Sequence, residues 1–424
     1  MKLSNLAETL IGSEILKLAA EINEKIKNGE KIYNFTIGDF DPKIFPIPLE
    51  FEKEIVEAYK NHFTNYPASE GILELRKAVS GFIKANQGLD YSASEILITG
   101  GGRPAIYAAY RTICDRGEKI IYAIPSWNNN HYAHFMEGVK VEVETKPEDF
   151  FMPTATELKP LLKGASLLAL CSPLNPTGTT FTKKALEEIC DLVIAENKSR
   201  SENEKKLFIL FDQIYCTLTF GETKHYDPVS LRPELKPYTI FVDGMSKAFA
   251  ATGVRVGWAM GPENIIGKMK AILSHIGAWS PMPEQKAAAK YLVQTEAIHH
   301  YLTNYKNEIH ERLQKIYEGF EALKQKGFAV EAIVPQAAIY LTIKIDLKGK
   351  QTSDGKILQS QTDVTSYILN EAKIAVVPFS AFGSSKESPW YRLSVGTCRK
   401  EEIPEMLNKL EGALGKLKAG SANS

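Results

Sequence analysis

Apolar positions near the start of the chain recur at helical spacing. Ile15, Ala19, Ile22 and Ile26 step by three or four residues between Ser13 and Gly29, which predicts an amphipathic helix opened by Ser13 and stopped by Gly29. Two further helices are expected over about 49–61 and 72–86. From residue 95 the pattern changes to short, continuous apolar runs. EILITG is followed by a glycine turn and a helix with Pro104 in its first turn, where the missing N–H costs nothing. KIIYAI, VKVEV, SLLALC, LFILFD and YTIFVD follow, separated by helical segments such as TKKALEEICDLVIAEN. Strands alternating with helices predict an α/β fold with a mostly parallel sheet covered by helices on both faces.

After about residue 283 the alternation ends. One long helical stretch (about 284–326) leads into AIYLTIKI, IAVVP and YRLSV, mixed with helices near 361–372 and 401–417. This reads as a smaller α+β domain. The expected division is an N-terminal segment (1–45) packing with the small domain, a large domain (46–300) and a small C-terminal domain (301–424). The charged run 195–206 and the polar run 348–363 are expected as surface loops or frayed helix ends, and the tail AGSANS as disordered. No internal repeat is found.

The chain has 424 residues, too many for one small core, which agrees with two domains. Acidic and basic residues balance at 51 each, which argues against nucleic acid or an anionic membrane as partner. No apolar run approaches the ~20 residues of a membrane span, and charges interrupt the N-terminus where a signal peptide needs an apolar stretch. A soluble, cytoplasmic protein is expected. Cys114, Cys171, Cys190, Cys216 and Cys398 lie far apart with no metal-ligand spacing. They read as reduced thiols acting as small buried hydrophobes, and no metal is expected.

In such sheets ligands gather at the carboxyl ends of the strands, and four features fall there. TGGGRPA (99–105) lets backbone approach a ligand and offers helix N-terminal amides to an anion, although a glycine turn also serves sterics alone. SPLNPTG (172–178) makes a rigid turn that aims Asn175. Asp212 ends LFILFD, with Tyr215 three residues on; burial should raise its pKa unless a donor or cation faces it. In DGMSKAFAATGVRVGW (243–258), Lys247 sits among small residues, with Arg255 eight positions later. Each feature alone has a bland reading as a turn or a cap. Together they suit one ligand, pyridoxal phosphate. Its aldehyde needs a lysine amine, its pyridine nitrogen a carboxylate, its phenolic oxygen neutral donors, and its phosphate amides and an arginine.

These residues resemble the class I/II aminotransferases, fold type I of the pyridoxal-phosphate enzymes. The resemblance runs from YNFTIGDFDP (33–42) to YRLSVGT (391–397). It rests on motifs in order: Tyr66 five residues before Gly71, strand-GG-helix, P-S-W, N-P-T-G, D-x-x-Y, S-K-x(7)-R-x-G-W and a late R-L-S. Within the family the chain looks most like aspartate aminotransferases. The resemblance implies that Lys247 would carry the cofactor as a Schiff base and shuttle a proton. Asp212 would pair with the ring nitrogen, and Asn175 and Tyr215 would bind the phenolic oxygen. Trp127 would stack on the ring. Gly102 and Arg103 would offer amides to the phosphate, and Arg255 its guanidinium. Tyr66 would reach the phosphate of a neighbouring subunit, making a homodimer with shared active sites. Arg392 would take the substrate α-carboxylate, with Gly38, Trp127 and Asn175 lining the substrate.

The sequence also departs from that pattern. Gly244 stands where many relatives have a phosphate-binding serine, with Ser246 a candidate substitute. Asn130 stands where some relatives have a histidine behind the aspartate, with His131 one residue later. No arginine appears in SHIGAWSPMPEQ (274–285), where some relatives supply one for a distal carboxylate. Other relatives carry a lysine just after the glycine pair, where Arg103 stands here, so the resemblance makes Arg103 the candidate reader of that carboxylate, while Trp279 could favour apolar substrates. The expected function is transfer of an amino group from an L-amino acid, with aspartate a candidate, to a 2-oxo acid such as 2-oxoglutarate. A β-eliminating lyase or decarboxylase on the same fold is the alternative, and a non-catalytic ligand sensor a remote one.

Overall fold

A computed structural model describes residues 2–10, 12 and 14–419. Ser13 and residues 420–424 lie outside the described residues, so the expected helix start and most of the expected disordered tail are not addressed. The chain forms thirteen strands among its described residues. In order they are β1 (Tyr33–Asn34), β2 (Ile96–Thr99), β3 (Lys119–Ile124), β4 (Val139–Glu144), β5 (Ala165–Cys171), β6 (Phe208–Asp212) and β7 (Thr239–Gly244). There follow β8 (Gly257–Met260), β9 (Val330–Ala332), β10 (Tyr340–Ile345), β11 (Ile374–Ala375), β12 (Val377–Pro378) and β13 (Trp390–Ser394).

Seven strands form the main sheet in the order β2-β8-β7-β6-β5-β3-β4. All pairs are parallel except those of β8, which runs antiparallel to both β2 and β7. The continuous apolar runs arise because both faces are covered. Leu97, Ile120, Tyr122, Leu167, Leu210 and Ile240 point to one face, under the helices Gly102–Ile113 and Glu263–Ile276. Ile96, Ile98, Ile121, Leu168, Ile209 and Phe241 point to the other, under Leu73–Gln87, Lys183–Ser199 and Met282–Tyr291. Neighbouring residues thus serve two different cores, as the two-residue period of a strand requires.

The second sheet, β12-β13-β10-β9, is antiparallel. Its core includes Ile309, Leu313 and Ile316 of the helix Thr295–Gln325 and Met406 and Leu410 of the helix Ile403–Gly415. Tyr33, Phe35, Phe40 and Phe45 from the N-terminal segment join the same core, and β1 pairs in parallel with β11.

Two expectations are corrected. β8 was not foreseen, because four residues beside a glycine carry too little pattern. Nor is the helical stretch 284–326 one helix: Leu292–Gln294 break it into Met282–Tyr291 and Thr295–Gln325. Ala287, Ala288, Tyr291 and Leu292 pack into the core of the main sheet, whereas Tyr305, Ile309 and Leu313 pack into the other. The break lets each helix follow its own core.

Candidate active site

The carboxyl ends of β5, β6 and β7 meet β10 and β13 around a cavity of about 670 Å³. Four basic side chains line it, Arg103, Lys247, Arg255 and Arg392, against two acidic ones, Asp39 and Asp212. Such a surplus of positive charge suits a ligand with more than one anionic group.

One end of the cavity is an anion cup. After β2 the chain turns at Gly101, with φ of 90°, and the helix Gly102–Ile113 begins with no acidic residue in its first turn. Its first amides have no helical acceptor and are available to an anion. A Cβ on Gly101 would overlap the Arg255 guanidinium, which crosses directly over it. Arg255 itself has φ of 62°, a left-handed conformation costly for a side-chain-bearing residue. Its Nη1 donates to Thr252 O (2.7 Å) and its Nη2 to Gly100 O (2.8 Å). These bonds aim the charge at the cup while satisfying it only with neutral carbonyls.

The middle of the cavity holds Lys247 and Asp212. Lys247 follows β7 in the short helix Met245–Ala248, and its Nζ donates to Gly38 O at 2.7 Å. Desolvation, with the Arg392, Arg103 and Arg255 charges, brings its pKa down to about 8 against an opposing pull from Asp39. Asp212 ends β6, and Ile214 N donates to its Oδ1 at 3.1 Å. Burial raises its pKa to about 6, only partly offset by that bond. A carboxylate placed here with no cation beside it is a site prepared for a cationic N–H.

The far end holds Arg392, in β13 and 2% exposed. Its Nη1 donates to Asn175 Oδ1 (3.0 Å) and its Nη2 to Thr36 O (2.8 Å), while the buried Nε has no partner. No carboxylate is among the groups that act on this guanidinium, and desolvation lowers its pKa. Because Asn175 turns its oxygen to Arg392, its Nδ2 remains as a donor. Tyr215 Oη lies 2.6 Å from Tyr340 Oη. A Cβ on Gly38 would stand 2.9 Å from Tyr340 Oη and 3.5 Å from Arg392 Nη1, so only glycine keeps this floor open. The Arg103 guanidinium stands 5.5 Å from the Trp127 ring centroid.

The cavity therefore brings together Gly38, Gly102, Arg103, Trp127 and Asn175 with Asp212, Tyr215, Lys247, Arg255 and Arg392. Tyr66 is not among them. It is 82% exposed on the surface, edge-on to Trp279 at 5.4 Å. His131 does not line the cavity, whereas Asn129 and Tyr132 do. Ser246 reaches the cavity wall. Cys171 lines it too, so it is not simply a buried hydrophobe, while the other four cysteines are buried. Tyr340, Asp39 and Thr252 were missed, as was Ala19 of the helix Glu14–Lys27. Tyr340 sits inside an apolar strand, Asp39 and Thr252 sit within the stretches 33–42 and 243–258, where Gly38, Lys247 and Arg255 carried the reading, and Ala19 lies on an ordinary amphipathic helix.

Pyridoxal phosphate fits this donor set. The unpaired Asp212 carboxylate, the partly desolvated Lys247 amine, and a cup in which Gly101 leaves room for Arg255 match its ring nitrogen, aldehyde and phosphate. A mostly parallel sheet with this cavity at its carboxyl edge defines a fold type I transferase. The chain belongs to the class I and II aminotransferases, whose family model matches residues 30–410. It is 28% identical over 419 residues to a probable aspartate/prephenate aminotransferase of Rickettsia felis, covering 97% of this chain and 96% of that one. It is 27% identical to the aspartate aminotransferase of Bacillus sp. strain YM-2, covering 90% and 92%. The crystal structure of the Rhizobium meliloti aspartate aminotransferase superposes with a TM-score of 0.90 at 26% identity, covering 99% of this chain and all of that one. A Thermus thermophilus aspartate aminotransferase solved with maleate has a TM-score of 0.85 at 27% identity, covering 98% of this chain and 100% of that one. The protein is a pyridoxal-phosphate-dependent aminotransferase, and the lyase, decarboxylase and sensor alternatives are not favoured.

Proposed function

We propose that the enzyme moves the amino group of a dicarboxylic L-amino acid, aspartate foremost, to a 2-oxo acid such as 2-oxoglutarate. The observation that carries this reading is that, besides Arg255 at the anion cup, two further guanidinium groups line the cavity, Arg392 and Arg103, with no ion pair to an acidic side chain among the described residues. Arg392 is the fork for the α-carboxylate, a planar two-donor geometry that lysine lacks. Arg103, over Trp127, reads the distal carboxylate. Dicarboxylate binding by the Thermus relative, solved with maleate, supports the same choice.

When bound, pyridoxal phosphate supplies an aldehyde for the amine and a ring that draws electrons from the substrate Cα. Lys247 would anchor it covalently and, once released, would take the Cα proton. An amine lowered to about 8 is still mostly charged near neutral pH, but it keeps a neutral fraction that an ordinary lysine lacks, and that fraction can serve as a base. Asp212 holds the proton on the ring nitrogen. Tyr215 and the Asn175 amide would donate to the phenolic oxygen, and Trp127 would pack against the ring. The Gly102 and Arg103 amides and the Arg255 guanidinium hold the phosphate. Gly38 leaves room for the substrate, and Trp127 and Asn175 border it. Tyr66 reaches the phosphate of a second copy, which makes the working unit a homodimer. The division at residues 45 and 300, and a cytoplasmic location, belong to the same proposal.

A likeness to the aromatic aminotransferase of Pyrococcus horikoshii (TM-score 0.80, 26% identity) favours a second reading, an apolar or aromatic donor, with Trp279 bordering the pocket. Steady-state kinetics of Arg103→Leu separate the two. The dicarboxylate reading expects the aspartate KM to rise about 10-fold or more, with that of an aromatic amino acid little changed. Equal effects on both substrates contradict it.

A further inference from the structure

Tyr340 and Tyr132 are the cavity phenols with no role so far, and Tyr340 touches three groups that have one. It lies on β10, diagonally across from Arg392 on β13, because Tyr340 pairs with Ser394 and Thr342 with Arg392. The Arg392 guanidinium sits between two aromatic rings, 4.8 Å from the Tyr340 centroid and 4.9 Å from that of Phe382. The Tyr340 hydroxyl meets Tyr215 Oη at 2.6 Å, and both side chains are 2% exposed. Gly38 packs under the same hydroxyl.

Two phenols in one hydrogen bond share a single bridging proton, so the second proton must go elsewhere. If Tyr215 donated, the Tyr340 proton would need another acceptor. Among the described residues Tyr340 Oη has no partner except Tyr215, and its charged neighbour Arg392 only donates. If Tyr340 donates, the spare proton belongs to Tyr215, which the site reading sets beside the phenolic oxygen, an acceptor; both phenols line the cavity. Burial raises the pKa of both phenols, and the Arg392 charge opposes that at both, standing higher among the causes at Tyr340 than at Tyr215. Asp39 and Cys171 also face this pair and act the other way, after Arg392 in order of effect.

We propose that Tyr340 is a positioning residue that donates to Tyr215 Oη and so commits the Tyr215 proton to the phenolic oxygen of the cofactor. This rests on the site reading above. A donor that itself accepts a hydrogen bond donates more strongly. Tyr340 thereby makes Tyr215 a better donor, while its ring keeps Arg392 in place for the substrate.

The test is the pH titration of the visible absorption band of the cofactor-loaded protein. Donation to the phenolic oxygen draws off negative charge that favours the protonated form of the neighbouring nitrogen. Losing donation therefore moves the midpoint upward. Tyr340→Phe is expected to raise the midpoint by ~0.3–1 pH unit, less than Tyr215→Phe does. It keeps the ring beside Arg392, so the aspartate KM should stay within about twofold, whereas Tyr340→Leu should raise it. In a Tyr215→Phe background, Tyr340→Phe should produce no further shift. A downward or unchanged midpoint overturns the inference, as does the same upward shift in both backgrounds. If the unaltered protein shows no pH-dependent band, the site reading falls and this inference falls with it.

Discussion

Asp212 and Lys247 are each built to be unhappy without a ligand. In the cofactor-free protein the Asp212 pKa stands at about 6, above its ordinary 3.8, because burial disfavours the carboxylate. Its contribution to stability is present below pH 3.8 and is lost as pH rises through 6. Lys247 runs the other way: its value of about 8 lies below 10.5, so its contribution is present above pH 10.5 and is lost as pH falls through 8. Both penalties therefore apply together between these two midpoints. Asp212→Asn should stabilise the cofactor-free protein at pH 7, on the order of 1–3 kcal/mol, and have little effect at pH 4. Thermal or urea unfolding at the two pH values measures this directly. Equal effects at both would mean that Asp212 carries no buried charge. Cofactor binding by the same variant should weaken, so the stabilising change is also the disabling one.

At the scale of elements, the departure at Gly244 has a steric origin. Gly244 pairs with Gly257 across β7 and β8. A Cβ on Gly244 would stand 2.7 Å from Gly257 Cα and 2.9 Å from Val256 O, both main-chain atoms that cannot rotate away. Gly257 is equally confined, against the Gly101–Gly102 backbone. Three glycine-bearing segments thus pack edge to edge and set the distance between the anion cup and Lys247. Gly244→Ser should destabilise the fold by roughly 1–3 kcal/mol or more and weaken cofactor affinity, although serine could donate to a phosphate. Chemical unfolding and cofactor titration check both effects; tighter binding in the variant would contradict the packing argument.

The same region marks how far the sequence could be read. β3, β5, β6 and β7 stand out because burial on both faces leaves them continuously apolar, and their strand ends carry Asn175, Asp212 and Lys247 at turns. β8 escapes notice because it is four residues long and its partner was unknowable without the β7 pairing. Tyr340 escapes because a tyrosine within AIYLTIKI looks like any core aromatic. Its meaning comes from Tyr215, 125 positions away. Local pattern shows which residues are unusual, whereas contacts across the two sheets show which ordinary ones matter.

On the scale of the whole molecule, Tyr66 is the proposed site residue that does not line its own chain's cavity. It stands exposed beside Trp279, with Phe63, Ile276 and Leu73 also exposed. A homodimer in which Tyr66 completes the neighbour's phosphate cup makes a specific prediction. Tyr66→Leu and Lys247→Ala proteins should each be weak or inactive alone. Mixed under exchange conditions, they should regain activity. One site of each hybrid then combines an intact Lys247 with an intact Tyr66 from the other chain. Activity that merely averages the two parents would place both residues in a single subunit's site or in none.

The claim on which all of this depends is that Lys247 is the cofactor's covalent anchor. Borohydride reduction of the pyridoxal-phosphate-loaded protein, followed by peptide mass mapping, tests it most directly. The pyridoxyl group should appear on the peptide containing Lys247 and vanish in Lys247→Ala. A stoichiometric label on another lysine, or undiminished labelling of Lys247→Ala, would contradict the account.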